Sequence, residues 1–529
     1  MPRPEPPGPP ARRTRAVLAL ILAAGVAVQL ATMAAGKIHW NSDQAIVGLM
    51  ARHILTGQEH PTFYYGSHYA GTLEPHYLAV LFSVFGASFT SYRLGMVLLL
   101  LLHSGLVYAL ARRVFGDCAA LISAGYLALP PFFFLYKGLT SDGAYTSLAV
   151  LGAAMLYAAV RLEEAVREDQ RGAATGWIFL LGILAGLAWW LIPLAAYFYL
   201  AILAWFLLVR RSVFARLSHY VVFLGAFLLG SLPWWLANVG KGWPSFGVPG
   251  ISRLRLGRFV AGPLAFFFEG APSLFGARPG ALHPDIFPGA SVVALLIYVL
   301  PLAAALSLLV AAKKRRAEPA HRALLLMVLM LFSIPLVAGF NEDTYKFDMR
   351  YVYPVYAPFA LLLGFVFCQT RWSRRTGVAV AAAILLFDVT SIVRAPRVQA
   401  ALSQPSGAAL DGVVRALRER DIHEAYASYW IAYSLAFQSR EEIVVAPFGR
   451  GTNGAARYAG YLSRVAASPN PAFVLFGREA ERFAEYLRLR GSVAETFDVG
   501  PYRVFWKVSP QVLAEAAKLR FVPDEVVPP

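Results

Sequence analysis

Residues 36–50, GKIHWNSDQAIVGLM, follow directly on an apolar run at 16–35 that is long enough to cross a bilayer, and their reading decides the fold. Within a few residues of leaving that run the chain sets down Trp40, Asn41, Ser42 and Asp43. A carboxylate at this boundary has two uses. It can start the helix SDQAIVGLMARHILTG, since Ser and Asp favour helix N-termini, although Ser42 could do that alone. It can also stand beside Trp40, on an amphipathic helix lying along the surface, and meet a substrate that is half in lipid and half in water.

The rest of the chain favours a membrane setting. Of 529 residues 58% are hydrophobic, and the mean hydropathy is +0.54, well above a soluble globular protein. Apolar runs of about 17–25 residues, the length a bilayer requires, recur from residue 16 to residue 393 and then stop. Hydropathy and basic loops together predict eleven spans, near 16–35, 92–111, 118–136, 143–161, 176–193, 195–209, 219–237, 291–311, 323–340, 353–370 and 377–393.

Of the net charge of +17, only +3 lies from Arg394 onward, where 17 basic residues face 14 acidic ones; the remaining +14 belongs to the membrane part. There the basic residues gather in short loops, as in Arg112-Arg113, Arg210-Arg211, Lys313-Lys314-Arg315-Arg316 and Arg371 with Arg374-Arg375. This is the positive-inside pattern, and it explains the charge without a nucleic-acid partner. It places residues 1–15, Pro-rich and basic, as a disordered cytoplasmic tail, and the C-terminal domain outside. Cys118 and Cys368 both fall in or beside apolar spans, so no structural disulfide and no metal cluster is expected from them.

The fold expected is a polytopic α-helical membrane protein, with a transmembrane domain at 16–393 and a small soluble α/β domain at 394–529. Outer loops at 36–91, 238–290 and 341–352 are unequal and rich in unusual residues, as a site at the outer face would be. After residue 410, helical spacing in ALDGVVRALRERDI, RYAGYLSRVAA and REAERFAEYLRLRG alternates with strands in AYASYW, EEIVVAP and PAFVLFG. The stretch AETFDVGPYRVFWKV reads as a hairpin. GRGTNG lacks the flanking strand and helix of a phosphate cradle and reads as a loop.

Further candidates lie in those loops. Glu74, His68, His76 and Arg93 sit close to apolar segments, where an ionisable group is costly unless paired or used. Pairing of Glu74 with Arg93 is the structural alternative, and the two His with Glu74 do not make a metal-binding spacing. In FNEDTYKFDMRYVYP, residues 340–354, Lys346 and Arg350 could clamp a phosphate, or be neutralised by Glu342, Asp343 and Asp348. Lys137 and Asp142, in YKGLTSDGAY, repeat that ambiguity. Trp40, His68, Tyr69 and Tyr351 are the aromatic and polar groups placed to touch a sugar or an acceptor.

Residues 41–95, NSDQAIVGLMARHILTGQEHPTFYYGSHYAGTLEPHYLAVLFSVFGASFTSYRLG, resemble the signature region of multi-pass glycosyltransferases of the GT-C superfamily. The similarity is to bacterial relatives of the protein mannosyltransferases and lipid A aminoarabinose transferases, grouped as glycosyltransferase family 39. ALARRVFGDCAALISAGYLALPP is similar to that family's second and third spans, and RYVYPVYAPFALLLG to a late one; the likeness covers 16–393 and is specific at 41–95.

The resemblance implies an inverting hexosyl- or pentosyltransferase in the plasma (inner) membrane. It would move a sugar from a polyprenyl-phosphate donor to a glycan, lipid or protein acceptor on the extracytoplasmic face. Asp43 occupies the position of the family's essential acid and would act as general base. Gln44 stands where many relatives carry a second acid, so neither a paired carboxylate nor a divalent cation is expected; Asp142 and Glu74 are the residues that could supply a second acid. The rival readings are a flippase or transporter of a lipid-linked saccharide, and a noncatalytic assembly factor. A transporter usually sets its charges near the bilayer midplane within paired repeats. No internal repeat is evident here, and the acids sit at the outer boundary.

Overall fold

Over their described residues the eleven spans predicted from hydropathy fall on helices, though not every one is long enough to cross a membrane. The computed structural model describes residues 11–36, 38, 40–247, 257–311, 318–339, 345, 349–369, 374–400, 407–448, 457–509 and 512. Among these, 8 helices are long and apolar enough to cross a membrane, or up to 10 if each of two bent pairs is one span. The segment expected at 195–209 is the shorter apolar helix Pro193–Val209. The bent pairs are Asp117–Ala128 with Phe132–Thr140, at 74°, and Leu217–Gly230 with Leu232–Asn238, at 68°. Proline sits at both breaks, Pro130-Pro131 and Pro233, where the missing amide donor ends the helical ladder.

Two compact units are formed. The first contains Met1–Ile38, His68–Leu73 and Leu94–Leu402; the second contains His39–Ser67, Glu74–Arg93 and Ser403–Pro529.

In the first unit, small residues set the helix contacts, as they do where hydrocarbon offers no hydrophobic drive to associate. A Cβ on Gly186 would come within 2.2 Å of the Phe227 carbonyl oxygen, and one on Gly182 within 2.7 Å of Ala226. The Arg171–Leu191 and Leu217–Gly230 helices therefore lie backbone to backbone. An apolar groove of about 590 Å³ beside this contact is lined by Met155, Trp189, Phe206, Phe223 and Phe227.

The cysteines correct the expectation drawn from sequence, because Cys118 and Cys368 form a disulfide across 250 residues. The reason is helix register. The Asp117–Ala128 helix packs antiparallel on Tyr356–Gln369, with the Ser123 hydroxyl donating to the Ala360 carbonyl at 2.9 Å. Gly364 has no room for a Cβ against the Ala119 carbonyl oxygen, which such an atom would approach to 2.4 Å. That pairing carries Cys118 opposite Cys368, with Cα atoms 6.4 Å apart, inside the usual disulfide range.

The second unit is built on a five-stranded sheet of order β2-β1-β3-β5-β4. Its strands are β1 (Glu424–Ala427), β2 (Val444–Pro447), β3 (Ala472–Phe476), β4 (Glu495–Val499) and β5 (Tyr502–Trp506). β1 pairs in parallel with β2 and β3, while β5 runs antiparallel to β3 and β4, the last pair forming the expected hairpin. Leu417, Ala425, Leu435, Val445, Val474 and Val504 fill its core. The predicted strand AYASYW stops early. After Ala427 the chain turns into the helix Tyr429–Gln438.

The Ser42–Thr56 helix belongs to this unit and is not a surface helix with one wet face, for every residue from Gln44 to Ala51 is buried. Gly48 explains how, since a Cβ there would lie 2.8 Å from the Phe437 ring. Farther along the helix His53 is buried between two partners, with Nδ1 2.7 Å from the Tyr65 hydroxyl and Nε2 2.8 Å from Glu441 Oε1. Tyr461 donates to the same Glu441 oxygen at 2.5 Å, and Arg52 lies 3.5 Å from the other. Burial opposes ionisation of Glu441, but His53, Tyr461 and Arg52 together hold its carboxyl below the ordinary range.

A carboxyl group whose folded value is depressed stabilises the fold above the ordinary carboxylate value and loses that contribution as pH falls through the folded one. Glu441→Gln should therefore destabilise the protein at pH 7 by about 1–2 kcal/mol, discounted for partial exposure. Thermal melts should show the gap from the unaltered protein narrowing once pH drops below the ordinary glutamate value of 4.5.

Candidate functional site

Asp43 is not the N-cap residue of its helix. The N-cap of its helix is Asn41, extended at φ −137° and ψ 174°, whose side chain accepts from the Gln44 amide at 3.3 Å. Ser42, expected from sequence as the capping residue, points elsewhere. Its hydroxyl donates to the Tyr429 carbonyl and accepts from the Tyr433 amide at 3.1 Å. The half-buried Asp43 carboxylate accepts at Oδ1 from the Tyr429 hydroxyl at 2.6 Å. Tyr64 donates to the Asp43 backbone carbonyl at 2.7 Å.

Arg457 stands behind this pair, its Nε donating to the Tyr429 hydroxyl oxygen at 3.4 Å. Gly66, at φ +69°, lets the loop approach it closely, since a Cβ would lie 3.0 Å from Arg457 Cδ. Burial, then the Asp43 charge, push the Tyr429 hydroxyl well above its ordinary value, so it stays a donor at neutral pH. Tyr64 is raised for the same two reasons. Burial alone would lower the Arg457 guanidinium, but Tyr429, Tyr64 and Asp43 outweigh it and raise it.

Trp40 has a packing role. Its ring stacks on Phe89 at 3.9 Å, meets Tyr92 edge-on at 5.3 Å, and carries the Arg93 guanidinium 4.5 Å above it. Glu74 is buried in the first turn of the Leu73–Phe85 helix in the same unit.

The first unit holds a separate charged cluster. Between the Phe132–Thr140 and Tyr145–Arg167 helices, Ser141, Asp142 and Gly143 adopt φ of +55°, +48° and +99°. Such left-handed backbone is costly for residues with side chains. Thr146 supports the turn, its amide donating to the Ser141 hydroxyl at 3.2 Å and its hydroxyl to the Gly138 carbonyl at 3.0 Å. The turn drives the Asp142 carboxylate inward, to 1% exposure, where Lys137 lies at 2.5 Å and Arg350 at 3.5 Å. Arg350 also covers Tyr145 and Tyr351, 5.6 Å from each ring centroid.

Thus Lys137, Asp142, Arg350 and Tyr351 are brought together, as are Asp43 and Trp40 within the second unit. His68 is exposed, its carbonyl accepting from Ser245, and Tyr69 is half-buried beside it in the chain. Lys346 and the GRGTNG loop lie outside the described residues. The sequence did not point to Tyr429 or Arg457, because the aromatic run YASYW reads as strand and no spacing ties either residue to Asp43. Among the described residues no group of three or more His, Cys, Asp or Glu could hold a metal ion.

With this geometry in hand, comparison with known proteins gives consistent results. Residues 73–235 match the model of the dolichyl-phosphate-mannose-protein mannosyltransferase family. No curated protein matches significantly. ArnT from Cupriavidus metallidurans bound to undecaprenyl phosphate superposes with a TM-score of 0.63 at 15% identity, over 93% of this chain and 98% of that one. Its apo state gives 0.61 at 14% identity, over 96% and 99%. The archaeal oligosaccharyltransferase AglB from Archaeoglobus fulgidus, in complex with an inhibitory peptide and a dolichol-phosphate, gives 0.54 at 12% identity, over 93% and 74%. The chain thus shares its fold with these structures, and its residues 73–235, under a third of its length, are similar to the dolichyl-phosphate-mannose-protein mannosyltransferase family.

Proposed function

We propose that the protein transfers a hexosyl or pentosyl group from a polyprenyl-phosphate donor to a hydroxyl of an envelope glycan, lipid or protein. The plasma (inner) membrane is the setting, with the N-terminus cytoplasmic, the second unit extracytoplasmic and the reaction on that outer side. Asp43 carries this reading: a half-buried carboxylate just past the first span, which accepts at Oδ1 from the Tyr429 hydroxyl. The ArnT relative bound to undecaprenyl phosphate supports the donor class, and the apolar groove offers the kind of surface a prenyl chain would need.

The acceptor oxygen attacks the anomeric carbon while the bond from that carbon to the phosphate oxygen breaks, its electron pair leaving with the phosphate. Asp43 takes the acceptor proton as general base, and a single displacement inverts the anomeric centre. Negative charge then grows on the departing phosphate, where fixed cations lower the barrier without reorganising. Lys137 and Arg350 are such cations, and Asp142 serves as their counter-ion and not as a second acid, being buried between them. A contribution of Lys346 to the same phosphate rests on sequence alone. No divalent cation is invoked, because Gln44 replaces the acid that would pair with Asp43.

Three outcomes test the reading. In a strain lacking the gene, Asp43→Asn should cut envelope product by about 100-fold or more, with an underglycosylated acceptor accumulating in the mass spectrum. A flippase would instead leave its lipid-linked saccharide unflipped. Arg350→Gln and Lys137→Gln should each weaken undecaprenyl phosphate binding in native mass spectra by about tenfold; unchanged binding in both would move the phosphate site elsewhere. Exhaustive chelation should leave transfer in isolated membranes intact, and loss rescued by a divalent ion would overturn the metal-free scheme.

A further inference from the structure

We propose that the C-terminal domain completes the active site, with Tyr429 acting as a positioning residue for Asp43 and Arg457 holding Tyr429 in place. This rests on Asp43 being the base. The hydroxyl of Tyr429, at the first turn of the Tyr429–Gln438 helix, donates to Asp43 Oδ1 at 2.6 Å although 386 residues separate them. A carboxylate rotates about its last torsion at little cost. Fixing one oxygen by a short, charge-assisted hydrogen bond fixes its plane, and with it the direction in which the other oxygen meets an acceptor hydroxyl.

The tyrosine is itself constrained from three sides. Its backbone carbonyl accepts from Ser42, its ring lies edge-on to Trp430 at 5.3 Å and to Tyr433 at 6.0 Å, and its hydroxyl oxygen accepts from Arg457. Arg457 reaches farther, its guanidinium 6.0 Å from the Tyr64 ring centroid. Tyr64 is the residue that holds the Asp43 backbone. The second unit thus grips Asp43 at main chain and side chain through one connected set. The ionisable groups facing that carboxylate in the set are Tyr64, Tyr429 and Arg457, with Tyr92 close to Tyr64.

Tyr429→Phe keeps the ring, and the Ser42 contact is to the backbone, so the fold is preserved. The test uses full-length protein in membranes from the strain lacking the gene, which contain their own donor and acceptor, with product followed by mass spectrometry.

Tyr429→Phe should lower transfer at pH 7 by about tenfold. Undecaprenyl phosphate binding and the melting temperature should stay unchanged. Arg457→Met should give a smaller fall, and Arg457→Lys should recover part of it. A Tyr429→Phe enzyme with unaltered rate, beside an inactive Asp43→Asn, would overturn the positioning role and leave the base in place. An active Asp43→Asn would overturn both.

Discussion

The contact between the Ser42–Thr56 and Tyr429–Gln438 helices is what the rest of the second unit depends on. It is permitted by an absence, the missing side chain of Gly48, which lets the Phe437 ring come against the helix backbone. From there the seam is polar at both ends and apolar between. Ser42 and Asp43 engage Tyr429 at one end, and His53 and Arg52 engage Glu441 at the other. Phe437 meets Phe89 at 4.9 Å in the middle. Buried polar groups cost several kcal/mol when unpaired, so this pattern accepts one register of the two helices and penalises a slip in either direction.

The charged cluster of the first unit works on a different principle. Lys137, Asp142 and Arg350 pair with one another, and the strained turn at 141–143 keeps the carboxylate inside. Both cations are thereby held, partly buried, against one carboxylate. The backbone strain is the cost of keeping them so.

Much of this was legible in the sequence, and the misses have a common cause. Apolar runs marked the membrane helices because bilayer thickness fixes their length, and short apolar runs between helical stretches marked the three inner strands, which are buried along nearly their whole length. The general base candidate was readable because Asp43 lies just past the first span. What could not be read depends on which helices touch. The Cys118–Cys368 bond follows from the register of Ser123 on Ala360, and Tyr429 reaches Asp43 only through the seam at Gly48. Local rules even pointed the wrong way at Ser42, which looks like a cap until Asn41 is seen to take that place.

The distance along the chain between Asp43 and Tyr429 sets a schedule. Asp43 leaves the ribosome before its partner, which follows 386 residues later. At about 5–20 residues per second the interval is about 20–80 s. Throughout that interval the carboxylate has no Tyr429 phenol beside it. The contact that fixes the Asp43 side chain is therefore made only after the domain that carries Tyr429 has been synthesised.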